Sequence, residues 1–291
     1  MAPLTDTLKG SLLMMGAMAG FVFNDALMRV VLESLPLYQA IFLRGVVLTP
    51  LLGILAWRRG ALFFRASPID RWRMRLRSGS EVVGTFLFLT ALSLLPFANI
   101  SAIMQAIPLA VTLGAAVFLG APIGWRRVSA ILVGFAGVLI VVRPGTDGFS
   151  YGSLLVLTVV GIVVVRDLTS RVLSPSIPSV TVALHAAVIL TICNGVLALS
   201  ATWAAVPVEV WGYLIGAAIF LTGGYICSVA TMRIGDIATI APFRYTALLW
   251  SILIGYLFFN EIPDIWTLVG SAIIVAMGVF SFYRERQLAR V

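Results

Sequence analysis

Charged residues are scarce in this sequence. Only 11% of its 291 residues are charged, whereas 60% are hydrophobic. The mean hydropathy of +1.06 excludes an ordinary soluble domain, because a charged surface is what keeps such a domain in water. Apolar runs of about 20 residues recur along the chain, and that is the length a membrane-spanning helix needs. We therefore expect an all-α integral membrane protein.

Histidine and cysteine are also scarce, with one and two residues. The single histidine, His185, excludes a site built from several histidine ligands. Cys193 and Cys227 both fall inside apolar runs, where a packing role is expected rather than a disulfide or a metal pair. The sequence has no Walker loop and no HExxH motif, which argues against an ATP-driven pump and a zinc protease. We expect no enzymatic activity, no cofactor and no metal site.

Hydropathy divides the chain into ten spans. A polar segment, RASPIDRWRMRLRS, precedes the third span. Its arginines alternate with Trp72, Met74 and Leu76, which predicts a connector lying on the inner membrane surface, with a regulatory site as the alternative. The spans fall at roughly 10–31, 36–57, 80–96, 98–120, 127–143, 151–171, 178–203, 208–231, 236–259 and 264–283.

Basic residues cluster on one side of these spans. With the N-terminus in the cytoplasm, the even connections and both ends hold most of the arginines, and the opposite side holds little beyond Arg143. Because positively charged loops stay inside, both termini are predicted to be cytoplasmic. Membrane topology then explains the net charge of +8, and no nucleic-acid partner is expected.

Two stretches of the chain resemble each other. Residues 97–121 and 237–261 are both apolar and both follow a short turn. Each carries a helix-bending proline, Pro108 in the first and Pro242 in the second. A proline frees a backbone carbonyl and removes one hydrogen bond of the helix, so we expect these positions to act as hinges.

The similarity extends over both halves of the chain. Residues 1–145 and 146–291 each hold five of the predicted spans, an odd number, so the second half enters the membrane from the opposite side. The predicted fold is ten transmembrane helices arranged as two inverted five-helix repeats, the architecture that alternating access requires. A shift of 142 residues aligns GSLL at 10–13 with GSLL at 152–155, Asp25 with Asp167, and Arg29 with Arg171.

These features resemble the EamA-type branch of the drug/metabolite transporter superfamily over nearly the whole chain. The hallmark of that family is a proline followed thirteen residues later by a glutamate. The first copy has Pro108 but Ala121 at the acidic position, whereas the second has Leu248 at the proline position but keeps Glu261. The resemblance implies a secondary transporter of the bacterial inner membrane that exports small metabolites. Glu261 is expected to cap a helix or to form an ion pair at the extracellular end.

Charged side chains inside the spans need partners or a wet cavity. At 1.5 Å per residue, Asp25 and Arg44 reach the same depth in the outer third, where they could form an ion pair. These ionic groups either act as gates that open and close during transport or only fix the packing of the helices. His185 is either a proton carrier or a hydrogen-bonded core residue. A second cluster is predicted near the cytoplasmic face, formed by Arg166, Asp167, His185 and Arg244.

Several polar and aromatic side chains are candidates for lining a substrate cavity between the repeats, although packing against lipid is the alternative for any aromatic residue. The pairs Gly16/Gly20 and Gly212/Gly216 are GxxxG motifs. We expect them to bring helices together within one chain, with a homodimer interface as the alternative. The cavity candidates are Gln105, Tyr38, Tyr225, Arg244, Tyr245, Trp250 and His185.

The expected solute follows from charge. Neither predicted cluster suits a strongly charged solute of one sign, and the apolar surroundings suit a neutral amino acid with a large side chain. Export of amino acids, aromatic or other neutral ones, is the first hypothesis, and the preference for aromatic amino acids rests on the resemblance to the family and on the aromatic residues of the fourth and ninth spans. The lipid bilayer is the other expected partner, and a proton is the coupling ion considered. The alternatives are multidrug or other metabolite efflux and, from another class, a non-transporting membrane scaffold.

Overall fold

The computed structural model describes residues 6–62, 66–121, 123–146, 149–200, 202–231 and 240–288, and within these ranges the chain is helical with short connections and no strands. One five-residue 3-10 helix, Ala241–Tyr245, precedes α10. The α-helices are α1 (Asp6–Ser34), α2 (Leu37–Arg58), α3 (Pro68–Leu92), α4 (Phe97–Met104), α5 (Ile107–Leu119), α6 (Trp125–Val142), α7 (Tyr151–Arg171), α8 (Ser179–Leu199), α9 (Val208–Thr231), α10 (Thr246–Phe259) and α11 (Ile265–Leu288).

Nine helical segments of the described residues are long and apolar enough to cross a membrane. The expectation of an all-α integral membrane protein is thereby confirmed. The remaining long helix, α3, is too polar over its first turns to be among the nine. We call the end of the bundle with the α1–α2 and α3–α4 turns the outer end, and the opposite end the inner end, after the predicted topology.

The start of α3 differs from the prediction. The segment predicted to lie on the membrane surface is instead the first three turns of this helix. Ser67 caps it by accepting a hydrogen bond from the Asp70 N–H at 3.1 Å, and Pro68 occupies the first turn, where its missing N–H costs nothing. Met74 is buried against Ile177 and Val182, so one face of this part of α3 packs on the protein, whereas Trp72 and Leu76 are exposed.

Both prolines lie at helix breaks. The predicted fourth span is divided into α4 and α5, and Pro108 stands in the first turn of α5. Pro242 lies in the 3-10 helix before α10, while residues 236–239 of that predicted span lie outside the described residues. Proline lacks an N–H and its ring blocks the preceding turn, which accounts for both breaks. Their role as hinges stays a prediction.

The helices pack as pairs that join the two halves of the chain, namely α1 with α9, α3 with α7, α2 with α8, and α6 with α11. Gly20 and Gly224 let the first pair approach closely. A Cβ on Gly20 would lie 2.8 Å from the Phe220 carbonyl oxygen. The predicted role of Gly20 in close packing within one chain is thus confirmed, whereas Gly212 has no neighbour within 4 Å of its Cβ position.

Small residues lie where two of these pairs cross. The Thr49 and Thr191 hydroxyl oxygens lie 3.2 Å apart between α2 and α8. Gly137 and Gly270 lie where α6 and α11 cross. A Cβ on Gly137 would lie 2.9 Å from the Gly270 carbonyl oxygen, and a Cβ on Gly270 would lie 2.6 Å from the Gly137 carbonyl oxygen. Small residues at both crossings therefore set the spacing of the helices.

Gly20→Ala should lower the thermal stability of the purified protein, because the new methyl group meets backbone atoms that cannot move aside. Overpacking of this kind costs about 1–3 kcal/mol. Gly212→Ala is the matched control, since its methyl group enters open space and alanine favours the helix by about 1 kcal/mol. Equal melting temperatures for the two variants in detergent would show that the α1–α9 crossing does not depend on Gly20.

Candidate functional site

Four largely buried charged side chains meet between α3 and α7. The Glu81 carboxylate lies 3.5 Å from Arg166 and 3.9 Å from Arg77, and Arg166 is 3.0 Å from its neighbour Asp167. Arg77 and Glu81 are four residues apart on α3, so they share one face of the helix. Only 13% and 16% of their side chains are exposed. Burial on this scale requires the opposite charges to stay together.

Asp25 and Arg44 do not form the predicted direct ion pair. Asn24 lies between them: its amide nitrogen donates to Asp25 at 2.9 Å, and its oxygen accepts from Arg44 at 3.4 Å. Consecutive residues of a helix point about 100° apart, so Asn24 rather than Asp25 faces α2. Arg44 is only 5% exposed, and the Asn24 amide bridges its guanidinium group to the Asp25 carboxylate by hydrogen bonds.

Tyr225 on α9 lies near both groups of charges. It lines a cavity together with Arg77, and its hydroxyl is within electrostatic range of Glu81, Arg166 and Arg44. The two separate ionic clusters that the sequence predicted are therefore one arrangement, which we call the central network. Its three arginines and three carboxylates balance in charge, and its members are Asn24, Asp25, Arg44, Arg77, Glu81, Arg166, Asp167 and Tyr225.

A cavity of about 140 Å³ lies beside the central network. Its walls come from α2, α3, α8 and α9, and both Arg77 and Tyr225 line it. The lining also includes Arg59 and Ser179 at the inner end. The cavity thus extends between the inner end of the bundle and the buried charges.

The predicted inner cluster of four residues does not assemble. Arg166 and Asp167 join Glu81, whereas the His185 ring nitrogen is 2.9 Å from the Ser78 hydroxyl on α3. Arg244 lies in the 3-10 helix, which packs on α1 and α11. Arg166 and His185 therefore both face α3, but at different positions along it, whereas Arg244 faces other helices.

The other cavity candidates are spread over the bundle. Gln105 is 7% exposed at the α4–α5 break, and Tyr38 stacks on Phe86 near the outer end. Tyr245 and Trp250 carry buried polar atoms without a hydrogen-bond partner. Tyr245, together with Pro242, lines a second cavity of about 400 Å³ between α10 and α11. Of these candidates only Tyr225 belongs to the central network.

Arg77 and Glu81 were not among the predicted site residues. Arg77 lies in the polar segment that was predicted to be a surface connector. The run Ser67-Pro68-Ile69-Asp70 carries the signal that was overlooked. A serine cap, a proline in the first turn and an acidic residue three positions after the cap are typical of a helix start. A helix beginning there places Arg77 and Glu81 together inside the bundle.

Glu261 behaves as the sequence predicted, since it both pairs and caps at the outer end. It forms an ion pair with Arg29. Its second carboxylate oxygen accepts a hydrogen bond of 2.7 Å from the Phe97 N–H at the start of α4. Two further contacts lie at this end, between Gln39 and Ala204 and between Arg143 and Asp264.

At the inner end, Asp70 joins the start of α3 to the connection after α7. It accepts hydrogen bonds from the Ser174 hydroxyl at 2.6 Å and from the Ser67 hydroxyl at 2.8 Å. These bonds, led by that from Ser174, with a further contribution from Arg73, hold the pKa of Asp70 below its usual range. Asp70 lies outside the nine apolar segments.

These helices define a multi-pass membrane protein. The family model of the EamA-like transporter family matches residues 8–143 and again residues 150–283. The chain belongs to the EamA-like transporter family, a branch of the drug/metabolite transporter superfamily, because the two matches together cover most of its length.

Similar proteins are named as transporters of several solutes. The chain is 29% identical over 227 residues to a riboflavin transporter of Rhizobium johnstonii, covering 75% of this chain and 72% of that protein. It is 26% identical over 282 residues to a pseudopaline exporter of Pseudomonas aeruginosa, covering 93% and 95%. It is 24% identical over 201 residues to an S-adenosylmethionine uptake transporter of Rickettsia bellii, covering 67% of each chain.

A solved crystal structure of a protein supports the fold. It covers 96% of this chain and 98% of its own, with a TM-score of 0.64 and 18% identity. At that identity the likeness concerns the helical arrangement alone. The family match and the named relatives, rather than this likeness, identify the chain as a membrane protein of the metabolite-transporter class.

Asn24 should carry the coupling between Asp25 and Arg44. In the native background, the double-mutant cycle of Asp25→Ala and Arg44→Ala should give a coupling energy of about 0.5–3 kcal/mol in thermal or denaturant stability. In the Asn24→Ala background the coupling should fall toward zero. Asp25→Ala with Arg126→Ala is the control cycle and should be additive, because Arg126 is exposed and lies over Trp125. Undiminished coupling without Asn24 would mean that the charges interact directly.

Asp70 should make stability depend on acid pH. Its pKa is lowered in the folded protein, so the ionised form stabilises the fold above the unfolded pKa of about 3.9. This stabilisation should be lost as the pH falls through that value toward the lower folded pKa. Ser174→Ala should weaken the acid dependence of the melting temperature between pH 6 and pH 3. Ser129→Ala, which removes an exposed hydroxyl bonded only to the Trp125 carbonyl, should leave it unchanged; equal profiles for both variants would contradict this role.

Proposed function

We propose that this chain is a secondary transporter that binds a zwitterionic small metabolite at the central network and exports it across a bacterial inner membrane. A neutral amino acid with a large apolar side chain is the solute we propose first. One observation carries the proposal: the central network balances three arginines with three carboxylates in a buried setting beside a cavity.

The network holds donors that lack partners. The Arg44 Nε and Arg77 Nη1 atoms are buried, and neither has a hydrogen-bond partner among the described residues. A buried donor left unsatisfied costs about 1–3 kcal/mol. The carboxylate of a zwitterion would satisfy such donors, and its ammonium group would find Glu81 or Asp25 across the same network. A solute with both charges therefore fits better than an anion or a cation alone.

The transport cycle that we propose is alternating access between two inverted repeats, 1–145 and 146–291, with α3 as a tenth span and both termini in the cytoplasm. Two findings support the repeat. The family model matches each half separately, and the hydroxyls of Thr49 and Thr191, which meet between α2 and α8, are 142 residues apart in the chain. That separation equals the shift that aligns Asp25 with Asp167, as expected if a twofold axis passes between α2 and α8.

The relatives constrain the solute only broadly. The solutes in their names are riboflavin, pseudopaline and S-adenosylmethionine, and the names describe export for one relative and uptake for another. The preference for an amino acid therefore rests on the charges of the central network. Another metabolite of similar charge or a drug is the alternative within this class. A scaffold without transport activity has no supporting observation, and the transporter names of the relatives favour a protein that is not an enzyme.

Transport into liposomes tests this proposal. Purified protein should take up labelled phenylalanine, tryptophan, methionine or threonine, and the comparison with and without a pH gradient should show whether a proton is coupled. Arg44→Gln should reduce transport roughly tenfold or more, since a charge-assisted hydrogen bond contributes about 1.5–3 kcal/mol. Arg44→Lys, which keeps the charge, should retain more activity than Arg44→Gln.

Arg58→Gln is the matched control for this experiment. Arg58 lies on the same helix but is exposed at its inner end, so its loss should leave the transport rate unchanged. Inhibition of transport by phosphorylated sugars or quaternary cations, with none by the neutral amino acids, would contradict a zwitterion site. Riboflavin and S-adenosylmethionine in the same competition panel distinguish the solutes of the relatives from an amino acid.

A further inference from the structure

A three-part contact closes the outer end of the bundle. Glu261 pairs with Arg29 of α1 and accepts the Phe97 N–H at the start of α4. The Arg29 guanidinium also lies 4.4 Å above the ring of Phe259 on α10. The two charged side chains are only 20% and 19% exposed, so water screens the contact weakly. We call this contact between α1, α4 and α10 the outer lock.

The inner end has the backbone for the same contact but lacks the acid. Gly120 ends α5 and Asn260 ends α10, both in the left-handed region with φ of 64° and 51°. The N–H of the next residue then reaches back in the same way, from Ala121 to the Ala115 oxygen at 3.1 Å and from Glu261 to the Gly255 oxygen at 2.9 Å. Residue 121 is therefore held as residue 261 is, with a methyl group in place of a carboxylate.

An arginine stands at the matching place as well. The alignment of the halves puts Arg171, the last residue of α7, on Arg29. Helices α5 and α7 pack side by side: a Cβ on Gly114 would lie 2.7 Å from Val164. Ala121 follows Gly114 and Arg171 follows Val164 by the same seven residues, about 10 Å along a helix.

The two helices also run in the same direction. A Cβ on Gly152, at the start of α7, would lie 2.8 Å from Leu95, just before α4. The contact between Gly114 and Val164 occurs further along both segments. Residues 121 and 171 consequently reach the inner end at the same level. The residues that the repeat aligns with the start of α4 lie outside the described residues.

We propose that the outer lock has no counterpart among the described residues of the inner end because residue 121 is alanine, and that this inequality makes the outward-closed state the resting state of the transporter. The proposal rests on the alternating access proposed above. Solute then enters the resting protein from the inner end, where the cavity beside Arg77 and Tyr225 begins. The Asp70 contacts at that end tie α3 to the segment after its partner α7, so they are not the counterpart of the lock.

Cysteine labelling tests the proposal without any substrate. Two reporters are introduced separately after Cys193 and Cys227 are replaced by serine: Ala183→Cys, which lines the cavity, and Ile100→Cys, which is 2% exposed one turn below the Phe97 contact. A membrane-impermeant maleimide is applied to each side of reconstituted vesicles. The ratio of the two labelling rates reports the ratio of inward-open to outward-open protein.

Ala121→Glu should install the missing lock and shift this ratio toward the outward-open state by about tenfold, the change that 1.4 kcal/mol produces. Glu261→Gln should shift it in the same direction by weakening the outer lock. The double variant should shift it furthest. Arg171→Ala added to Ala121→Glu should restore the original ratio, and Ala121→Gln, of matched size but without charge, should shift the ratio little.

The outcomes separate this proposal from the one on which it rests. Equal effects of Ala121→Glu and Ala121→Gln, or a shift that Arg171→Ala does not reverse, would overturn the missing counterpart. A shift with Glu261→Gln and none with Ala121→Glu would also overturn it while preserving alternating access. If the labelling rates of both reporters change neither with any variant nor when a transported solute is added, alternating access is contradicted instead. Size-exclusion profiles of each variant in detergent confirm that the protein is folded.

Discussion

The central network depends on the ion pairs that Glu81 forms with two arginines, Arg77 and Arg166. Arg77 and Arg166 are largely removed from water, with 13% and 28% of their side chains exposed. An arginine in a membrane costs at least several kcal/mol unless an acid or a backbone group compensates it. The carboxylate of α3 therefore requires α7 beside it, and the packing of this pair places Tyr225 and Arg44 around the same charges. A set of buried side chains with balanced charge follows from this need for mutual compensation.

Breaks in two of the apolar segments are the second constraint. Backbone groups freed by Pro108 and Pro242 cannot be left facing lipid, because the hydrocarbon offers no hydrogen bonds. The structure keeps both breaks inside the protein: Ala106 is 1% exposed and Tyr245 is 5% exposed. The breaks also leave Tyr245 with a buried hydroxyl that lacks a partner, beside the larger cavity. Interrupted helices in the interior are the arrangement by which transporters build sites at membrane depth.

Some features could be predicted because they depend on local chemistry. The apolar runs determined the helical membrane class, and the prolines determined where two spans are interrupted. The position of Glu261 after α10 predicted a cap or an ion pair, and Glu261 makes both. Gly20 was expected to allow close packing, and it does so against α9. In each case a residue type and its place along one helix were sufficient to predict what the residue does, although not which residue of another helix it contacts.

The sequence by itself determined the depth of each charge, and the tertiary structure decided its neighbours. Asp25 and Arg44 come near each other across α1 and α2, as their positions predict, but the rotation of α1 inserts Asn24 between them. Arg244 was expected at the level of Arg166, but its 3-10 helix packs on α1 and α11, away from Glu81. Depth follows from counting residues at 1.5 Å each, whereas contact also requires the direction in which each helix faces and the identity of the helix beside it. Those two quantities are set only when all the helices pack together.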